Sequence, residues 1–192
     1  MTELFPPAPA SVPAHLHDRL VAGAEREGLL DVAYRTVDTP VGTLLLAATP
    51  AGLVRVAYGP VPEALSALAD KVSPRILHAP GRLDSVARQL DEYFAGTRRS
   101  FDVPLDLRLA TGFRRAVLDH LPDIAYGRTE SYAEVAAAAG SPRAVRAVGT
   151  ACALNPVPIV VPCHRVVLSN GSMGRYAGGE AAKRTLLTLE AA

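Results

Sequence analysis

With 192 residues, 49% of them apolar, the chain is long enough for one large or two small domains with a substantial core. Every apolar run is broken by charge, glycine or proline well before about 18 residues, which excludes a membrane-spanning helix, and the amino terminus lacks the basic-then-apolar layout of a signal peptide. The net charge of +1 excludes neither acidic nor basic partners, but the halves differ. Residues 1–105 carry ten Arg or Lys against twelve Asp or Glu, and residues 106–192 carry ten against seven. A phosphate backbone would favour the second half, although a solvated charged face accounts for so small a difference nearly as well. Two cysteines, Cys152 and Cys163, are too few for a disulfide framework and stand at no metal-ligand spacing, so a reduced, cytoplasmic protein without a metal centre is expected.

Residues 1–13, with Phe5-Pro6-Pro7-Ala8-Pro9 and Pro13, read as a flexible tail. A helix is expected from Ala14 to Gly28; its His15 and His17 are taken as solvated rather than metal-bound. Three β-prone runs follow, Val32–Val37, Thr43–Ala48 and Leu53–Tyr58, and the Pro and Gly between them predict an antiparallel meander. Amphipathic helices are expected over Val61–Val72 and Arg82–Ala95, the second with Leu83, Val86, Ala87, Leu90 and Phe94 on its buried face. Phe101–Leu107 reads as extended. Asp84, Asp91 and Glu92 fit an exposed helix face better than a metal nuclease, and no catalytic constellation precedes residue 110. The first half is an α+β scaffold.

Beyond Thr111 the texture turns helical and alanine-rich, beginning with Phe113–Leu121. Ser131 with Glu134 three residues on is a capping-box pattern ahead of a helix over Tyr132–Ala139. Gly140-Ser141 ends it, and Pro142 opens a second helix to about Leu154, making a helix-turn-helix. That helix carries Arg143 and Arg146 for charge and Ala144, Ala147, Gly149 and Ala151 for close approach; an ordinary helical hairpin would read the same way.

The chemistry concentrates in Asn155-Pro156-Val157-Pro158-Ile159-Val160-Val161-Pro162-Cys163-His164-Arg165. Prolines at 156, 158 and 162 forbid regular helix and make a stiff mount for a thiol. A thiol becomes nucleophilic when an imidazole takes its proton, and a carboxylate beyond the imidazole fixes its tautomer. Cys163, His164 and Glu190 supply those types, yet side-by-side residues on an extended chain point apart, so a turn or a bridging water is required. From adjacency alone, an inert buried cysteine beside a structural histidine is the favoured account.

Pro162-Cys163-His164-Arg165-Val166, preceded by Asn155-Pro156-Val157-Pro158 and followed by Gly174-Arg175-Tyr176-Ala177-Gly178-Gly179, resembles the signature of the O6-alkylguanine-DNA alkyltransferases. The match keeps its spacing over some sixty positions, from Ser131 to Glu190. The resemblance implies an α/β chain of three parts: a tail over 1–13, a ribonuclease-H-like scaffold with a small antiparallel sheet over 14–108, and a mostly helical, winged-helix-like domain with the helix-turn-helix over 109–192. It also implies a single displacement in which Cys163 attacks the alkyl carbon on O6 of a flipped-out guanine, and O4 of thymine is a further candidate. His164 then acts through a water, Glu190 orients His164, Asn155 secures the turn, and Tyr132 serves the leaving guanine. Arg146 would fill the space of the extruded nucleotide, with Arg143, Ala144, Gly149 and Tyr132 along the DNA. Pro158, Met173, Gly174, Tyr176, Ala177 and Lys183 would wall the pocket, Lys183 being equally well explained as a helix-surface lysine. Duplex DNA carrying O6-alkylguanine is the implied partner, bound with little sequence preference. The protein would act as a monomer, with cooperative association along DNA left open, and would need no cofactor.

The chain departs from the family pattern in places. It has Leu118 and no tryptophan, Arg114 where glutamine is common, Ile124-Ala125-Tyr126-Gly127 for Ile-Pro-Tyr-Gly, and Ala177 where some relatives have serine. Three other readings remain: a lesion binder, which would lack Cys163; a thiol hydrolase; and a transcriptional regulator with sequence-specific binding.

Overall fold

The computed structural model describes residues 13–191, so the tail expected over 1–13 lies, except for Pro13, outside the described residues. Pro13 leads into helix α1 (Ala14–Arg26). Strands β1 (Val32–Thr39), β2 (Gly42–Thr49) and β3 (Gly52–Ala57) form the expected antiparallel meander. Strand β4 (Ile76–His78) then pairs parallel to β1, giving the order β3-β2-β1-β4. The sheet is therefore mixed, not purely antiparallel. Three residues between Pro74 and Pro80 are too short to give a periodic signal.

Strand β2 is central and covered on both faces, which is why it reads Leu44-Leu45-Leu46-Ala47-Ala48 without polar alternation. Leu44, Leu46 and Ala48 enter the main core, while Leu45 and Ala47 pack with Ala64 and Leu68 of helix α2 (Val61–Lys71). Helix α3 (Asp84–Phe94), entered through a 3₁₀ turn at Pro80–Leu83, lays Val86, Ala87, Leu90 and Tyr93 on the main-core side. Helical spacing selects Phe94; the structure buries Tyr93 completely and leaves Phe94 half-buried. Phe101–Leu107 forms no strand. Pro104, lacking an N–H, leaves one isolated bridge from Leu105 to Leu53.

The second half comprises α4 (Gly112–His120), β5 (Glu130–Ser131), α5 (Tyr132–Ala138), α6 (Val145–Ala153), β6 (Val166–Val167) and α7 (Gly179–Glu190), with β5 and β6 paired in parallel. The capping box is formed: Glu134 N donates to Ser131 Oγ at 3.2 Å and Ser131 N to Glu134 Oε2 at 2.6 Å. Helix α6 begins three residues later than Pro142. Pro142 and Arg143 instead sit in a turn closed by Ala144 N donating to Ser141 O at 2.8 Å, and Ala144 is the N-cap.

One hydrophobic core runs through both halves, from Leu44 and Leu90 through Val117, Val135 and Val148 to Val157, Val161 and Leu186. Among the described residues no helix is long and apolar enough to cross a membrane.

Candidate active site

The segment after α6 is a buried loop fastened by one side chain. Asn155 donates through Nδ2 to Val161 O at 2.8 Å and accepts from Val157 N at 3.0 Å, so its amide does the work of a missing backbone ladder. Between those anchors Ile159 adopts φ +76°, the one non-glycine residue with positive φ among those described. A β-branched side chain there costs on the order of 1–3 kcal/mol and persists only where its surroundings hold it. Pro162 then feeds a 3₁₀ turn, Cys163–Arg165, so the expected extended mount ends in the turn that the chemistry requires.

Cys163 is 2% exposed and His164 and Glu190 are 0% and 4% exposed. His164 Nε2 lies 2.9 Å from Glu190 Oε1, while His164 Nδ1 is buried and has no hydrogen-bond partner among the described residues. With the Nε2 proton on the carboxylate side, Nδ1 is left as a proton acceptor. Glu190 ends α7, where the helix dipole disfavours a carboxylate. Five donors offset that: Tyr93 Oη at 2.6 Å, His164 Nε2, Arg165 Nε at 2.9 Å, Arg165 Nη2 at 3.0 Å and Gly127 N at 3.4 Å. Burial alone would raise the Glu190 pKa; hydrogen bonds from His164 and Arg165 outweigh it and bring it down to about 2. Burial lowers the His164 pKa, against the pull of Glu190. Burial likewise pushes the Cys163 thiol up to about 11, opposed by the Asn155 side chain and the Lys183 charge. At rest the sulfur is a protonated thiol beside a neutral imidazole.

Around the thiol, burial raises the pKa values of Tyr132 and Tyr176. Tyr176 meets His164 edge-on with ring centroids 6.2 Å apart, and its Oη lies 3.1 Å from Tyr58 Oη. Two glycines of the loop are close approaches: a Cβ on Gly174 would fall 3.0 Å from Tyr132 Oη, and one on Gly178 would fall 2.6 Å from the Tyr58 ring. Pro158 and Ala177 line a neighbouring cleft, and Met173 is half-buried in the loop between β6 and α7. Lys183 is no surface lysine. It is fully buried, and Nζ donates to Val166 O at 2.6 Å.

Two family models match the chain. Residues 32–107 match the ribonuclease-like domain of 6-O-methylguanine DNA methyltransferase and residues 112–192 match its DNA-binding domain. A methylated-DNA–protein-cysteine methyltransferase of Mycobacterium bovis is 43% identical over 162 residues, covering 83% of this chain and 92% of the relative. This chain belongs to the 6-O-methylguanine DNA methyltransferase family. The constitutive methylated-DNA–protein-cysteine methyltransferase of Bacillus subtilis is 39% identical over 163 residues, with 82% of this chain and 94% of the relative covered. The crystal structure of the Mycobacterium tuberculosis O6-methylguanine methyltransferase superposes with a TM-score of 0.72 at 40% identity, covering 83% and 93% of the two chains. The structure of the tuberculosis protein in complex with DNA gives 0.71 at 40% identity, covering 82% and 92%.

In this family member the helix-turn-helix leaves its basic face open. Arg143 and Arg146 are exposed, and their side chains make no hydrogen bond or ion pair among the described residues. Gly149, one turn beyond Arg146, brings α6 against Tyr132, to which a Cβ would lie 3.9 Å away. The structure thus gathers Cys163, His164, Glu190, Asn155, Tyr132, Tyr176 and Lys183 around one buried centre. It leaves Arg143 and Arg146 on an outer face. Sequence reasoning gave no role to Tyr93, Tyr58 or Arg165. Only Arg165 carried a signal, as a charge inside an apolar run that must find a buried partner.

Proposed function

We propose that this chain repairs DNA by moving an alkyl group from O6 of an extruded guanine, and from O4 of thymine as a second substrate, onto Cys163. The reaction class is that of the family, methylated-DNA–protein-cysteine methyltransferase. The observation that carries the reading is the buried Cys163-His164 turn whose imidazole is bound to Glu190 on one nitrogen and open on the other.

A water between Sγ and His164 Nδ1 would take the thiol proton to the imidazole, and Glu190 would hold the imidazolium formed. As the S–C bond forms, the C–O6 bond breaks, and the guanine leaves as an anion that Tyr132 Oη protonates. The thioether has no leaving path, so each molecule reacts once. Extrusion costs a few kcal/mol, and insertion of Arg146 into the stack offsets it. Pro158, Met173, Gly174, Tyr176 and Ala177 wall the guanine, while Lys183 acts from behind the pocket by bracing Val166. Residues 14–108 serve as scaffold and 109–192 as the reacting domain, bound as a monomer to duplex with little sequence preference.

The test is mass spectrometry after incubation with a duplex holding one O6-methylguanine. One methyl per molecule, mapped to Cys163 and absent from Cys163→Ala, is expected. A duplex that is bound without any transfer would replace this reading with lesion binding.

A further inference from the structure

A cleft of about 460 Å³ opens between the two halves, lined by β3 and α2 on one side and by Leu109, Arg114, the end of α6 and Asn155 on the other, and it meets the proposed guanine wall at Pro158 and Ala177. Its lining contains three cations, Arg55, Lys71 and Arg114, and no carboxylate. None of the three holds an ion pair among the described residues, whereas Arg35, Arg75 and Arg82 each hold a carboxylate at 2.7–2.9 Å. Arg114 donates through Nη2 to Leu109 O, but its Nε is buried and has no hydrogen-bond partner among the described residues. Arg55 is half-buried on β3, and burial pushes its pKa down with no anion to oppose it. Arg55 and the buried Nε of Arg114 give up hydration with no carboxylate to replace it, so an anion is the missing group.

The position says which anion. Leu154, at the cleft, is eight residues along α6 from Arg146, a rise of about 12 Å. A strand followed from Arg146 along the exposed Ala147, Thr150 and Ala153 therefore arrives at the cleft mouth. We propose that the cleft is a phosphate site, built by Arg55, Lys71 and Arg114, that carries the nucleic-acid surface of α6 onto the first half of the chain. Arg114 stands where the family commonly has glutamine, so the site belongs to this chain's own sequence. The proposal rests on the DNA-repair reading for its source of phosphate.

The experiment measures binding of undamaged duplex by the full chain across a salt series, for wild type, Arg55→Gln/Lys71→Gln and the surface control Arg184→Gln. The double variant is expected to bring the slope of log K against log salt nearer zero by about 1–2, since each phosphate that a cation neutralises contributes about 0.9. The control should leave it unchanged. In parallel, the arginine Nε–H signals of Arg55 and Arg114 are followed by NMR as inorganic phosphate or pyrophosphate is added. An unchanged slope with unmoved signals overturns the site. Moved signals with an unchanged slope assign the cleft to a free phosphate and overturn its role on DNA. Methyl transfer by wild-type protein is scored separately, so failure of the repair reading is distinguishable from failure of the cleft.

Discussion

The Glu190 cluster and the outer face of α6 both depend on arginine, and they treat it in opposite ways. Arg165 is 6% exposed and commits two nitrogens to Glu190 and a third, Nη1, to Ile124 O at 2.6 Å. Arg143 and Arg146 are exposed and uncommitted among the described residues. A buried charge must be fully bonded before any substrate arrives, because its desolvation is not recovered otherwise. A charge meant for phosphate must stay in water until then, because its binding free energy comes from displacing counterions. On the proposed reading, chemistry is held in the closed network and recognition is left to the open one.

The sharpest way to break this contrast is Glu190→Gln. It keeps the shape but strands Arg165, so stability should fall by about 3–5 kcal/mol, read as a lower urea midpoint at unchanged slope. Acid should reach the same network without a mutation. Glu190 is depressed from 4.5 to about 2, so its contribution is complete above pH 4.5 and is lost as pH falls towards about 2. His164, whose folded pKa is lowered, adds a loss that begins below its ordinary 6.5, since the unfolded chain takes the proton more readily. Urea midpoints should therefore decline steadily from pH 7 to pH 3, and a flat profile would remove the cluster from the account of stability. Tyr93→Phe deletes one donor of five and should cost about 0.5–1.5 kcal/mol by the same assay. Arg146→Ala should change stability by less than about 0.5 kcal/mol while weakening duplex binding and reducing its salt slope by about 0.9.

What could be read in the sequence was mostly local. The capping box of Ser131 and Glu134 and the three meander strands depend on near neighbours, the most distant pair being Ala33 with Ala48, and they stand where their residue types require; the Asn155 clasp was legible through the family pattern. The active-site pairing of His164 with Glu190 was legible through a family pattern and not through spacing. What escaped is long-range. Tyr93 reaches Glu190 across 97 positions, Tyr58 reaches Tyr176 across 118, and neither partner leaves a mark on the other's local pattern. A one-residue error of helical phase was enough to choose Phe94 over Tyr93 and so to hide the first half's contribution to the site. Lys183 differs again: the resemblance put it at the pocket while its helix position read equally well as solvated, and its burial depends on the Val166 carbonyl brought under it by β6.

Cys163 sits in the close-packed core, almost wholly out of solvent, among side chains that already fill the space. A methyl delivered to that sulfur is, in packing terms, a small-to-large core substitution made after folding, of the sort that costs about 1–3 kcal/mol. On the proposed transfer, the spent molecule carries the lesion's carbon as a wedge in its own interior. If Cys163 is the acceptor, the melting temperature of the spent protein should fall below that of the unreacted protein.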